Sequence, residues 1–284
     1  MDARHEVPAA LTWRRTTVDG RPATYGEAGS GPVVLFLHGW ALSDRTYRRS
    51  LRRLSQHGYR VVAPALPGFG GTPPLPEDGF SLAGYADWVA AFAEAAEITG
   101  PVTVVGHSFG GAVALKTAHA HPGLVAQLVL VNSIGGSTWR QHGEKSRTMA
   151  ERPIWDWGLH LTSHALSLRG LMRVVPVVVA DALPNAIRHP ASMWRVGGLA
   201  REANLVEELE DLKRRRLPVV ILWGREDTVV PWACAESLIG SLHDPHVVTV
   251  PGDHSWLIGN PEHFAETLTN VLQQPVRRPR RSAG

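Results

Sequence analysis

The sequence predicts an α/β protein: a doubly wound, mostly parallel sheet of about eight strands with a helical cap inserted into it. Three observations carry this. Short continuous apolar runs rich in β-branched residues recur along the chain, as strands covered on both faces of a sheet require. Segments of helical length lie between them, so strand and helix alternate as βαβ units do. The alternation then stops between residues 136 and 217 and resumes, which reads as an insertion between two strands of one sheet.

Taken in order, residues 12–18 and 23–27 suit an antiparallel hairpin at the sheet edge. The runs 33–37, 59–63, 102–105 and 128–131 are the next strands, and 219–222 and 247–250 follow the insertion. Helices are expected over 44–57, 82–97, 109–121, 232–242 and 261–273. The domain assignment is therefore a core of 1–135 and 218–274, a cap of 136–217 rich in Trp and Arg, and a tail of 275–284. The tail is Pro, Arg, Ala, Ser, Gly, Val, a composition that buries too little surface to become ordered.

The bulk figures bound the function. The chain has 284 residues, 44% hydrophobic and 19% charged, enough for a sizeable core. The formal net charge is +3. Basic residues cluster at 213–216 and 277–281, and no nucleic-acid module accompanies them, so a nucleic-acid partner is not expected. The single cysteine, Cys234, excludes an intrachain disulfide and suits a reducing compartment. The start of the chain lacks the apolar core of a signal peptide. The most apolar later stretch, 174–180, is too short to span a bilayer and contains Pro176. A cytoplasmic protein with no membrane span is the expectation.

Four short motifs carry chemistry. Gly106-His107-Ser108-Phe109-Gly110 directly follows a strand and opens a helix. A serine hydroxyl becomes a nucleophile when a base takes its proton and its Oγ stands exposed, and a sharp strand-to-helix turn provides the exposure. His38-Gly39-Trp40 ends the strand 33–37. Acyl transfer needs two N–H donors on the developing oxyanion; the backbone N–H groups of Trp40 and Phe109 are the candidates. Trp223-Gly224-Arg225-Glu226-Asp227 follows the strand 219–222 and offers Asp227 as the acid that orients a base. Gly252-Asp253-His254 follows the last strand. His254 is the one histidine of 14 placed at a strand end after both other candidates. Asp253 and Glu226 are rival acids by adjacency.

Together these residues resemble the α/β-hydrolase superfamily, over nearly the whole chain outside the cap and tail. The resemblance includes His38-Gly39, Pro67-Gly68-Phe69-Gly70, Gly106 to Gly111, Asp227-Thr228-Val229-Val230-Pro231, and Pro261 and Phe264 after His254. It implies the fold, a Ser108–Asp227–His254 triad in that chain order, and a cap between the sixth and seventh strands. Relatives that take their acid from the end of the sixth strand have a carboxylate where this chain has Asn132-Ser133. Dehalogenases and epoxide hydrolases of this fold use an aspartate in the place of Ser108. Carbon–carbon bond hydrolases typically show glycines and an asparagine where this chain has Trp40 and His107.

The expected activity is therefore that of a serine hydrolase of carboxylic esters on small to medium apolar acyl substrates, needing no metal or other cofactor. The alternatives are a C–C hydrolase, a thioesterase, or a ligand sensor that keeps the fold. Trp155, Trp157 and Trp194 are the cap residues expected to line the substrate pocket. His160 and His164 have helical metal-ligand spacing without a third ligand.

Overall fold

The computed structural model describes residues 10–136 and 168–274. It contains an eight-stranded sheet in the order β1-β2-β4-β3-β5-β6-β7-β8. Strands β1 (Thr12–Val18) and β2 (Arg21–Ala28) form the antiparallel edge hairpin, and β2 runs antiparallel to β4 (Arg60–Pro64). The others, β3 (Val33–Leu37), β5 (Val102–His107), β6 (Val125–Val131), β7 (Val219–Gly224) and β8 (His246–Val250), pair in parallel. The chain order reverses about β3, so helices cover both faces.

Alternation along the strands divides the core into two layers. Leu35, Leu37, Val104, Leu128, Leu130, Ile221 and Trp223 face one way. They pack on α2 (Leu82–Ala95) and α3 (Phe109–Ala120), with α6 (Val206–Arg215) and α7 (Trp232–Ser241) beside them. Val34, Phe36, Val61, Val105, Val129, Val220 and Leu222 face the other way, against α1 (Arg48–Ser55), α8 (Trp256–Gly259) and α9 (Pro261–Gln273). Each such side chain contributes roughly 1.5–3 kcal/mol by leaving water.

Local chemistry sets the helix ends. Ser81 caps α2 by accepting from the Gly84 N–H. Asn260 caps α9, whose first residue is Pro261. The basic run 213–216 lies at the C-terminal end of α6, where cations meet the negative end of the helix dipole. Glu207 and Glu208 occupy its first turn.

Between β6 and β7 lie α4 (Leu168–Arg188), α5 (Pro190–Glu202) and α6. Helix α6 returns to the core: its Leu209 and Leu212 are buried there, and Glu208 pairs with Lys116 of α3 at 2.5 Å. Helix α4 is pinned to the loops that follow β3 and β4. Asp181 accepts from the Ser43 N–H and the Thr46 hydroxyl, both at 2.7 Å, and from the Ser43 hydroxyl. Asn185 accepts from the Gly70 N–H at 3.0 Å and donates to the Ala41 carbonyl at 3.1 Å.

These anchors explain the main departure from expectation: the helix expected from residue 44 begins only at Arg48. Residues 43–47 turn to present Ser43 and Thr46 to Asp181. No helix among the described residues is long and apolar enough to cross a membrane.

Candidate active site

Ser108 stands at the turn between β5 and α3 with φ 54° and ψ −119°, a backbone conformation that L-residues avoid. Its neighbours make the turn sterically feasible. A Cβ on Gly106 would lie 2.4 Å from the Gly110 carbonyl oxygen, and one on Gly110 would lie 2.3 Å from the Leu37 carbonyl oxygen. Both positions therefore require glycine. The turn is held by Ser108 N–H donating to Val131 O at 3.1 Å and by Gly111 N–H donating to Ser108 O at 3.0 Å.

The loop after β3 lies against this turn: a Cβ on Gly39 would be 3.3 Å from the Ser108 Cβ. His38 fixes that loop. Its Nε2 accepts from the Leu66 N–H at 2.8 Å, so its Nδ1 carries the proton and donates to the Gly39 carbonyl at 2.9 Å. Burial pushes its pKa down to about 4, so the ring stays neutral. Trp40 follows on the same loop and donates its indole N–H to the Met193 carbonyl of α5 at 2.8 Å. Phe109 opens α3, so its N–H has no acceptor within the helix.

Asp227 and His254 meet at the ends of β7 and β8. His254 Nδ1 is 2.7 Å from Asp227 Oδ2, and both side chains are buried. Asp227 Oδ1 accepts from the Val229 and Val230 N–H groups, each at 2.8 Å. The carboxylate is thereby held by backbone, with one oxygen left to orient the imidazole. Its expected rivals are engaged elsewhere: Asp253 Oδ1 accepts from the Ser255 N–H, and Glu226 from the Gly252 N–H.

The structure adds residues that the sequence reading did not assign. Asn132, at the end of β6 with φ 43°, donates through Nδ2 to Asp227 Oδ2. Its Oδ1 accepts from the Trp256 indole at 2.9 Å and the Gly224 N–H at 3.3 Å. The amide thus ties the acid's loop to β6. His107 and Tyr47 are also buried beside the site. Asn132 was legible as a polar residue where some relatives carry an acid; nothing in the pattern marked Tyr47.

Of the residues expected to line the pocket, Trp155 and Trp157 lie outside the described residues, as do His160, His164 and the tail 275–284. Trp194 is 58% exposed on α5, so its ring faces outward for the most part. Its neighbour Met193 supplies the contact to Trp40. Among the described residues no cluster of His, Cys, Asp or Glu could hold a metal ion.

Comparison with known proteins agrees with this fold. The model of a family described as "alpha/beta hydrolase fold" matches residues 32–261. A non-heme chloroperoxidase of Streptomyces lividans is 40% identical over 242 residues, covering 78% of this chain and 84% of that protein. A pimeloyl-acyl-carrier protein methyl ester esterase of Aromatoleum aromaticum is 28% identical, covering 85% and 98%. Among solved structures, a serine hydrolase involved in carbazole degradation superposes with a TM-score of 0.72 at 25% identity, covering 93% of this chain and 99% of that one.

Proposed function

This chain belongs to the α/β-hydrolase fold family, and on that basis we propose that it is a serine hydrolase of carboxylic esters. The observation that carries the reading is the buried His254–Asp227 pair at 2.7 Å, at the same end of the sheet as a serine held at a strained strand-to-helix turn.

In the proposed mechanism Ser108 Oγ attacks the ester carbonyl while His254 takes its proton. Asp227 keeps the imidazole in the tautomer whose free nitrogen faces the serine and stabilises the imidazolium that forms. The oxyanion is received by the N–H groups of Phe109 and Trp40. His254 then protonates the departing alcohol. Water, deprotonated by His254, attacks the acyl-enzyme and releases the acid and Ser108. The 28% identical methyl ester esterase supports ester chemistry. The substrate class we assign is a small-molecule acyl ester with a small to medium apolar acyl group, enclosed by the segment between β6 and β7.

The 40% identical chloroperoxidase favours a second reading. If hydrogen peroxide rather than water takes the acyl group from Ser108, the product is a peracid, which oxidises chloride. Both readings need the same acyl-enzyme.

The test is turnover of a panel of esters, thioesters and vinylogous diketo acids by wild type and Ser108→Ala, with fluorophosphonate labelling of both. Ester turnover and labelling confined to Ser108 are expected, and both should vanish in Ser108→Ala. Labelling that persists in the variant would overturn the assignment. Chlorination of an indicator dye that requires both peroxide and a carboxylic acid would promote the second reading.

A further inference from the structure

His107 is a buried histidine that the mechanism above leaves without a task. Its Nε2 lies 3.1 Å from the backbone carbonyl oxygen of His254. A carbonyl only accepts, so this nitrogen carries the proton and donates. The other nitrogen, Nδ1, is then an acceptor in a neutral ring, and the Tyr47 hydroxyl at 2.8 Å donates to it. The Tyr47 oxygen in turn accepts from the Gly39 N–H at 3.3 Å.

Every proton therefore has one assignment: Gly39 N–H to Tyr47 O–H, Tyr47 O–H to His107, and His107 to the His254 carbonyl. The opposite tautomer would set a ring lone pair against a carbonyl lone pair. Full burial, with His254 beside it, holds the His107 pKa well below the ordinary histidine value, so the ring stays neutral and the pattern persists. Such a chain of like-directed bonds polarises along its length.

The two ends of the chain matter most. One is the loop after β3 that carries Gly39 and Trp40; the other is the backbone of His254 after β8. These loops come from strands far apart in the sheet order, with β5, β6 and β7 between β3 and β8. The His107 ring also lies against the His254 ring, with centroids 4.7 Å apart and planes tilted by 40°. An apolar side chain could fill this space without the cost of burying two polar nitrogens.

We propose that His107, with Tyr47, is a positioning residue that fixes the His254 backbone relative to the Gly39–Trp40 loop and Ser108. The proposal rests on the serine-hydrolase reading.

The experiment compares wild type, Tyr47→Phe, His107→Ala, His107→Gln and the double variant Tyr47→Phe/His107→Ala, all as full chains. For each, kcat and KM on p-nitrophenyl butyrate, the rate of fluorophosphonate labelling and the Tm are measured. Misplacing a base by a fraction of an ångström lowers kcat by on the order of tenfold to a hundredfold, and that loss is expected in Tyr47→Phe and His107→Ala. KM should stay within about twofold, since no substrate contact is lost. Labelling should slow in parallel. The double variant should be no slower than His107→Ala, because the bonds act in series. His107→Gln, whose amide can donate to the His254 carbonyl, should recover part of kcat.

Full kcat in variants that only lose Tm would overturn the proposal, as would independent, multiplicative losses in the double variant. If His107→Ala does not fold, Tyr47→Phe decides, since it keeps the ring packed on Phe36 and removes only the hydroxyl. Failure of the serine-hydrolase reading is distinguishable: wild type would then escape labelling, or Ser108→Ala would remain active.

Discussion

The acid is held more tightly than a single pair to His254 would require. Asp227 accepts from His254, Asn132 and the N–H groups of Val229 and Val230, so its position does not depend on substrate. Asp227→Asn preserves the shape but reverses the polarity toward His254 Nδ1. Turnover should fall by a factor of about 10⁴, measured as kcat on an activated ester. Asp253→Asn and Glu226→Gln should fall far less, because those carboxylates serve backbone N–H groups of their own loops. A crippled Asp253→Asn would show that the acid is misassigned. Asn132→Ala removes one donor from Asp227 and strands the Trp256 indole and the Gly224 N–H. A loss of about 1.4 kcal/mol in orientation corresponds to tenfold in rate, and that is the expected scale. The Ser108, Asp227 and His254 positions were legible in sequence because each sits on a strand end with a local pattern around it. Asn132, Tyr47 and His107 were not assigned roles, because their partners lie on other strands or loops and only the assembled sheet brings them together.

Helix α4 is attached by polar as well as apolar residues: Val174 is buried, and Val178 and Ala182 pack against the second core layer. Asp181 and Asn185 turn toward the core loops, while Met172, Leu183 and Ile187 are exposed. Apolar residues thus lie on both the docked and the exposed sides, so hydrophobic periodicity indicated a helical region here without showing how it docks. The same region holds a buried carboxyl, Asp44, whose oxygens have no side-chain hydrogen-bond partner among the described residues. Burial, with the Asp181 carboxylate nearby, pushes its pKa up to about 8 from an ordinary 3.8, against the opposing pull of Arg45. The folded state thus retains a proton that the unfolded chain releases. The Asp44 contribution to stability is therefore fully present below the unfolded pKa and is lost as pH rises from 3.8 to about 8. Asp44→Asn removes this titration. Urea unfolding of wild type and variant at pH 6 and pH 9 should show the variant gaining on wild type at the higher pH, by on the order of a few kcal/mol at most. An identical pH dependence in the two proteins would show that Asp44 is charged in the folded state.

At the scale of the molecule, the sheet brings the catalytic candidates to one edge and the insertion after β6 returns across it. Ser108, Asp227 and His254 all follow the C-terminal ends of parallel strands, where open α/β sheets bind ligands. Helix α4 is pinned to the loops after β3 and β4, and α5 to Trp40 through Met193. The enclosure of substrate by the inserted segment, proposed above, makes its composition the thing to test. That segment is rich in Trp, Leu and Val in sequence, including Trp155, Trp157 and Leu159, so on the proposed reading an acyl chain exchanges water for apolar surface. Each buried methylene is worth ~0.8 kcal/mol, roughly a fourfold gain in kcat/KM. A series of p-nitrophenyl esters from acetate upward should rise by about that factor per carbon, reach a maximum at a medium-length acyl group, and fall once the space is filled. The arginines of the segment, such as Arg140 and Arg173, define the contrary outcome. If kcat/KM is flat or falls with chain length while a dicarboxylate or diketo acid turns over well, the segment selects by charge, and cleavage of a C–C bond becomes the better description of the chemistry at Ser108.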